Sequence, residues 1–375
     1  FGACFGVSAG YERPMWFALD GEKAEYEYSY NYQNWYPSVE YECKNTIQNV
    51  GLFELSPFSK YELKGEKAYE ELQRLCTANI KNEIGKCTYT HMLNEGAGIE
   101  TDLTVVCINK NHFRIISSAA VRTHDKAHIL KHLSKDVEFK DITDDLICLG
   151  VFGPKSRDLL SEILNEDLSN ENLKFGSSKN FKLGSINIWL QRLSYIGELG
   201  YEIYVKYKYA NKIYNLITEI GKKFKLSHCG AHTMDIMRME SGFLHWGHDI
   251  SPEENQYQAG LDFTINYKKN VEFIGKAALL KIKEKKIDKR LLMFVLENNK
   301  PGEPLMLHDE PIYVDDKIIG RTTSGNYSFN FKKNLSYGYV NSGNTIEILK
   351  NKKIFIEVEK IKYQANILEK PLNSK

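Results

Sequence analysis

The chain has 375 residues, 42% of them hydrophobic and 26% charged, so it can bury a large core and is neither disordered nor fibrous. Fifty Lys and Arg stand against 49 Asp and Glu, a formal charge of +1, which leaves no net charge to steer the molecule onto nucleic acid or an anionic bilayer. A length of this order implies about two or three domains.

The seven cysteines (Cys4, Cys43, Cys76, Cys87, Cys107, Cys148 and Cys229) form no CxxC pair and are odd in number. Both features argue against a disulfide framework or a zinc knuckle and fit a reducing compartment. No apolar run is long enough to cross a bilayer, and no basic segment followed by an apolar one marks a signal peptide. The expected location is cytoplasmic, or the mitochondrial matrix in a eukaryote. The chain opens Phe-Gly-Ala-Cys with no Met, as a processed chain or a piece of a longer one would.

Residues 1–45 are rich in Tyr, Trp, Phe and Gly with little periodicity, and read as an extended, linker-like segment laid against a surface. From 46 to 150, strand and helix patterns alternate. Tyr61 and Leu63 share a strand face, and a helix opened by Gly65 lines up Ala68, Leu72, Leu75 and Cys76. Residues 89–108 read as strand, Gly-containing turn, strand. A further strand at 112–119 precedes a helix at 123–134 with Ala127, Leu130 and His124 turned inward. Strands then lead to a helix near Pro154. Two more strands occupy 178–205, followed by helices over 208–222 (Ile213, Leu216, Ile217, Ile220 on one face) and 230–243, where Met234, Ile236, Met237 and Met239 are core candidates. The charged stretch 281–290 marks a domain boundary. Beyond it six short strand candidates, one of them TIEIL at 345–349, suggest a small β-barrel or sandwich. No Gly-x-Gly-x-x-Gly, Walker A or Gly-x-Ser-x-Gly sequence is present.

Two loops could carry chemistry. In Asn94–Asp102 two glycines permit a tight turn that delivers carboxylates to a strand mouth, so Asp102 is either an amine-binding or proton-guiding group or a local turn cap. In Ser194–Glu202, glycines at 197 and 200 let the loop approach a flat ligand. Tyr195 and Glu202 bracket it, and Glu202 either accepts paired hydrogen bonds from a ring or is a solvated hairpin residue. Arg238 and Glu240 lie on one helix, and a buried Arg238 requires a carboxylate or an anionic ligand. His248 and Asp249 adjoin, and His124, His128 and His132 stack at helical spacing, but neither set has the pattern of a metal site. No metal is expected.

The motifs LNEGAGIETDLTV, SYIGELGYEIYV, RMESGFLHWGHDI, AGLDFTINYKKNVEFIGKAAL and GRTTSGNYS occur in one order. Together they resemble the folate-binding aminomethyltransferases, the glycine cleavage T-protein family, and most of all the folate half of dimethylglycine and sarcosine dehydrogenases. FGACFGVSAGYERPMWFA is similar to the segment that joins the flavin half of those enzymes to the folate half. The resemblance implies an α+β fold of three small domains around a central tetrahydrofolate site, the last a β-barrel. It divides the chain into 1–45, a linker-like segment from an upstream flavin domain; 46–284, the folate-binding aminomethyltransferase domains; and 285–375, the barrel.

By the same resemblance Asp102 is the catalytic carboxylate, and Glu202 clamps the pterin. Tyr195, Asn94, Gly98, Arg238 and Trp246 line or support the cofactor site. The implied reaction passes a formaldehyde-level carbon, as an iminium from an N-methyl amino acid, to tetrahydrofolate to give 5,10-methylenetetrahydrofolate. FAD would reside only in a partner or an upstream domain, and the small-molecule amine and a flavin oxidoreductase would be the partners. A T-protein proper, a standalone folate-dependent demethylase and a non-catalytic folate-binding module are the alternatives. Met234, Ala97, Gln258 and Ser328 depart from the family pattern, the first where T-proteins carry Arg.

Overall fold

The computed structural model describes residues 1–341 and 346–374. The chain opens with a hairpin, β1 (Ala3–Ser8) and β2 (Tyr11–Phe17), then helix α1 (Tyr36–Gln48), β3 (Val50–Glu54), β4 (Ser59–Lys64) and α2 (Ala68–Leu75). Next come β5 (Cys87–Leu93), β6 (Ile99–Asn109), β7 (His112–Ser117), α3 (Arg122–His132), β8 (Glu138–Asp141), β9 (Leu146–Phe152) and α4 (Ser156–Leu164). They are followed by β10 (Ser178–Leu183), β11 (Ile186–Gln191), β12 (Gly200–Lys206), α5 (Ala210–Gly221), β13 (Leu226–Cys229) and α6 (Ala231–Glu240). Short helices α7 (Gln256–Ala259) and α8 (Lys276–Lys283) lead to β14 (Lys289–Leu296), β15 (Pro311–Val314), β16 (Lys317–Ser328) and β17 (Lys333–Asn341). The described chain closes with α9 (Ile346–Leu349), β18 (Ile354–Val358) and β19 (Ile361–Leu368).

Besides the hairpin, these strands form three bodies. One is a five-stranded antiparallel sheet in the order β5-β6-β7-β4-β8. The second is a six-stranded sheet, β10-β11-β12-β9-β3-β13, antiparallel except where β13 runs parallel to β3. The third is a closed barrel, β14-β17-β16-β15-β18-β19. This is the expected α+β architecture with a C-terminal barrel.

Each sheet covers one face with helices. Leu103, Val105, Phe113 and Ile115 pack under Leu72, Leu75 and Ile129 of α2 and α3. Leu149, Val151, Ile203 and Val205 pack under Leu159, Leu160, Ile213 and Ile217 of α4 and α5. Because strand side chains alternate in direction, residues one position away point to the opposite, inner faces. Asp102 on β6 and Glu202 and Tyr204 on β12 are such residues.

The segment read as extended is so only over the hairpin, for Tyr36–Gln48 is helical. Its buried side includes Ser38, Glu42, Asn45 and Thr46, and polar residues on the inner face hide the 3.6-residue apolar period. Glu42 accounts for their presence: its carboxylate accepts from the Phe17 and Gly230 amides and the Thr233 hydroxyl, which pins hairpin, α1 and α6 together. Helix α3 also turns differently from expectation. Leu130 is 47% exposed and Ala127 is exposed, while Asp125 and Ile129 are buried. Asp125 goes inward because Thr101 and Ser117 donate to its carboxylate. In the segment TIEIL, Ile346–Leu349 is one helical turn rather than a strand, and Thr345 lies outside the described residues.

Candidate active site

The hairpin of β5 and β6 builds the first half of the site. Asn94 shapes its turn: the Gly98 amide donates to Oδ1 at 2.9 Å, and Nδ2 donates to Glu100 at 2.9 Å. Gly98 is needed for close approach, since a Cβ there would lie 2.0 Å from the Pro252 carbonyl oxygen. Ala97, in place of glycine, holds φ at 72° and is fully buried. Asn94 and Gly98 thus set the turn that carries Asp102.

Asp102 lies directly opposite His91 in the ladder, Nε2 to Oδ1 3.5 Å apart. It caps no local amide, and Oδ1 is buried with no hydrogen-bond partner. Burial pushes its carboxyl up to about 7; the charge of Asp125 acts in the same sense, and the Tyr89 hydroxyl works against both. Burial likewise holds His91 neutral, its pKa lowered to about 3. Tyr89 is 42% exposed, yet desolvation is the main cause of its raised pKa.

Glu202 is buried in the second sheet, opposite Gln191. Oε2 accepts from the Tyr204 hydroxyl at 2.7 Å and from Gln191 Nε2 at 3.5 Å. Burial raises its pKa and the Tyr204 hydrogen bond opposes that shift. The hairpin reading in which Glu202 is solvated does not hold. Gln191 also accepts from the Cys87 thiol at 3.6 Å, and the Cys87 amide donates to the Gly176 carbonyl at 2.9 Å, so the start of β5 docks beside Glu202. Cys87, Tyr89 and His91 therefore form a row on one strand face with Glu202 at one end and Asp102 at the other. Two residue pairs along a strand span about 13 Å.

The remaining candidates frame this row. Tyr195 donates to the Leu244 carbonyl at 2.6 Å and stacks on Phe243, ring centres 5.9 Å apart. Its hydroxyl feels the charge of Asp102, which places the two near one another. Trp246 donates from Nε1 to the Ile99 carbonyl at 3.0 Å and lies beside His124. Arg238 is buried and spends its guanidinium on Asp235 (2.8 Å), Asp249 (2.5 Å), the Phe243 carbonyl (3.1 Å) and Ser324 (2.8 Å). Glu240 accepts from Ser328 at 2.6 Å and Asn330 at 2.8 Å, so the departure at Ser328 supplies a donor to the helix. Arg238 and Glu240 tie α6 and the 243–249 loop to barrel strand β16 and its following turn.

Tyr89, His91, Gln191 and Tyr204 were not among the sequence candidates. The signal for two of them was available: across a hairpin turn Asp102 must face a residue of the preceding strand, and Tyr89 lies two positions before it. The histidines of α3 disperse. His124 pairs with Glu100 at 2.8 Å, while His128 and His132 pack ring on ring. Among the described residues no group of three or more His, Cys, Asp and Glu could hold a metal ion. No described helix is long and apolar enough to cross a membrane. A recess of about 390 Å³ between Tyr30 and the barrel contains neither Asp102 nor Glu202.

Comparison with known proteins gives two family matches: the GCVT N-terminal domain over residues 1–269 and the glycine cleavage T-protein C-terminal barrel domain over 289–373. The 4-methylaminobutanoate oxidase (formaldehyde-forming) of Paenarthrobacter nicotinovorans is 38% identical, covering 87% of this chain and 39% of its own. The mitochondrial dimethylglycine dehydrogenase of Rattus norvegicus is 33% identical, covering 98% of this chain and 42% of its own. This chain thus spans about two fifths of the length of these relatives. An aminomethyltransferase of Thermoanaerobacter pseudethanolicus, 32% identical, is matched over 85% of this chain and 88% of its own. In fold, the glycine cleavage system aminomethyltransferase T of Bartonella henselae superposes with a TM-score of 0.84 at 22% identity, over 99% of this chain and 94% of that one. Matched along nearly its whole length, the chain belongs to the glycine cleavage T-protein family.

Proposed function

We propose that this chain binds tetrahydrofolate along the β5 row and transfers a formaldehyde-level carbon to it from an iminium of the dimethylglycine or sarcosine type. The observation that carries the reading is a half-buried carboxylate, Asp102, and a buried one, Glu202, at the two ends of one strand face. Glu202 has acceptor capacity left over, since both of its hydrogen bonds fall on Oε2, and Asp102 lies opposite a neutral imidazole.

A flat ring with a donor edge suits this geometry. Glu202 accepts from adjacent N–H and NH₂ groups in a charge-assisted pair, and Tyr204 holds the carboxylate in place for it. When bound, tetrahydrofolate supplies the nitrogen nucleophile. Asp102, at the other end, attracts the cationic donor and holds or releases a proton, for which a pKa near neutrality is well matched. Tyr195, Trp246 and Arg238 act by fixing the loops around the row. Most of the rate then comes from proximity and electrostatics. The oxidation that generates the iminium is assigned to a flavin-bearing domain or subunit outside these residues, in keeping with relatives named as dehydrogenases and an oxidase.

Calorimetric titration with tetrahydrofolate, on the wild-type chain and on Glu202→Ala, tests the pocket. Saturable binding that is lost in the variant is expected. A second reading, a folate-type fold in a regulatory role, has one observation in its favour: the mitochondrial pyruvate dehydrogenase phosphatase regulatory subunit of Mus musculus is 30% identical over 89% of this chain. Absence of binding by the folded wild type would favour that reading.

A further inference from the structure

The hydroxyl of Thr264 bears on which nitrogen of His91 carries the proton. Thr264 Oγ1 donates its single hydrogen to the Leu261 carbonyl at 2.6 Å. Toward His91 Nδ1, 3.1 Å away, it can only accept, so Nδ1 bears the hydrogen. The imidazole is fully buried and neutral, which leaves Nε2 a bare lone pair. That lone pair faces Oδ1 of Asp102 at 3.5 Å, the oxygen that has no hydrogen-bond donor.

From this geometry we infer that His91 is a positioning residue for Asp102, a tautomer-locked imidazole whose Nε2 accepts the proton of the acid form and so fixes that proton on Oδ1. Oδ2 is left for the incoming ligand. Separations of this size are common in ligand-free sites and shorten on binding.

The groups that act on Asp102 are few. From β5 come His91 and Tyr89, from α3 Asp125, and from the loop entering β12 Tyr195. Asp125 and the lone pair of His91 both oppose ionisation. The Tyr89 hydroxyl, 3.3 Å from the same Nε2, is the one donor that favours it. In the acid form Asp102 donates to Nε2; in the ionised form Tyr89 donates to the carboxylate. Thr264 sits in AGLDFTINY, a segment with no other part in the site, and its contribution is to set the direction of this relay.

The inference rests on the proposed role of Asp102, but its test does not require folate. In the ligand-free protein labelled with ¹⁵N-histidine, long-range ¹H–¹⁵N correlation should show His91 as the neutral Nδ1–H tautomer from pH 5 to pH 8. The resonance is assigned by its loss in His91→Gln. An Nε2–H tautomer, or a protonated ring in this range, overturns the inference. In Thr264→Val the acceptor for Nδ1–H is gone, Nε2–H becomes available to the carboxylate, and the ¹³C titration midpoint of Asp102 should fall by roughly one pH unit. A midpoint that stays or rises in a variant of native far-UV spectrum also overturns it. Failure of tetrahydrofolate to bind a protein with the expected tautomer counts against the proposed function instead.

Discussion

Arg238 and Asp249 meet at 2.5 Å inside the protein, their side chains 2% and 0% exposed, and this pair joins the end of α6 to the loop that carries Trp246. Asp249 also accepts from Thr323 at 2.6 Å and Ser324 at 2.8 Å on the barrel. Removing the cation leaves a buried carboxylate uncompensated, which typically costs about 3–5 kcal/mol. Arg238→Ala should therefore unfold at markedly lower urea concentration. Arg238→Lys should recover little, because a single ammonium cannot reach Asp235, Asp249, Ser324 and the Phe243 carbonyl at once. Equilibrium denaturation of the three proteins checks this, and a fully rescuing lysine would refute it.

Asp102 holds its raised pKa at a cost in stability. An ordinary Asp carboxyl titrates at 3.8, whereas burial raises this one to about 7. Between those values the folded protein holds a proton that the unfolded chain has released. This group's contribution to stability is thus full below the ordinary value and is lost as pH rises through about 7. Asp102→Asn, which never ionises, should therefore gain on wild type as pH rises, its stability advantage growing by on the order of 2–3 kcal/mol between pH 5 and pH 8. Its transfer rate should fall sharply at both pH values. Denaturation curves at the two pH values decide the first part.

Glu202 and Tyr204 should separate by size of effect. Loss of a charge-assisted acceptor pair in Glu202→Gln is expected to weaken tetrahydrofolate binding by about 10- to 100-fold. Tyr204→Phe removes only the 2.7 Å hydrogen bond that holds the carboxylate and should cost roughly 2- to 10-fold. A larger effect from Tyr204→Phe, measured calorimetrically, would mean that the hydroxyl itself meets the ligand.

Gly98→Ala places a methyl 2.0 Å from the Pro252 carbonyl oxygen, a backbone atom that cannot swing aside. The turn has to move, and with it the start of β6. A cost of about 1–3 kcal/mol follows from overpacking, together with a drop in transfer rate. A variant that keeps wild-type stability and rate would show that the turn is not what sets Asp102.

Much of the architecture was legible because most elements bury apolar side chains with a regular period. Ile213 and Ile217 on α5, and the alternation through β6, announce their own faces. Helices α1 and α3 were harder for one shared reason. Their buried faces carry Glu42 and Asp125, which stay inside by accepting hydrogen bonds from residues outside their own helices. Periodicity cannot register a partner 188 positions away. At the candidate site, the glycine turns pointed to Asp102 and Glu202. What went unread was cross-strand: His91 and Gln191 matter because of register, which is a property of two strands together.

The Glu42 staple has a consequence for synthesis. Two of the three donors to this carboxylate, Gly230 and Thr233, leave the ribosome long after the hairpin and α1 they complete. Strand β3 waits equally long for its parallel neighbour β13. The first fifty or so residues thus emerge with aromatic surface and unpaired backbone that much later parts of the chain cover, the interval in which nascent chains are most open to misassociation. Nascent chains halted before residue 230 should be bound strongly by ribosome-associated chaperones and degraded readily by protease, and those halted after α6 much less so.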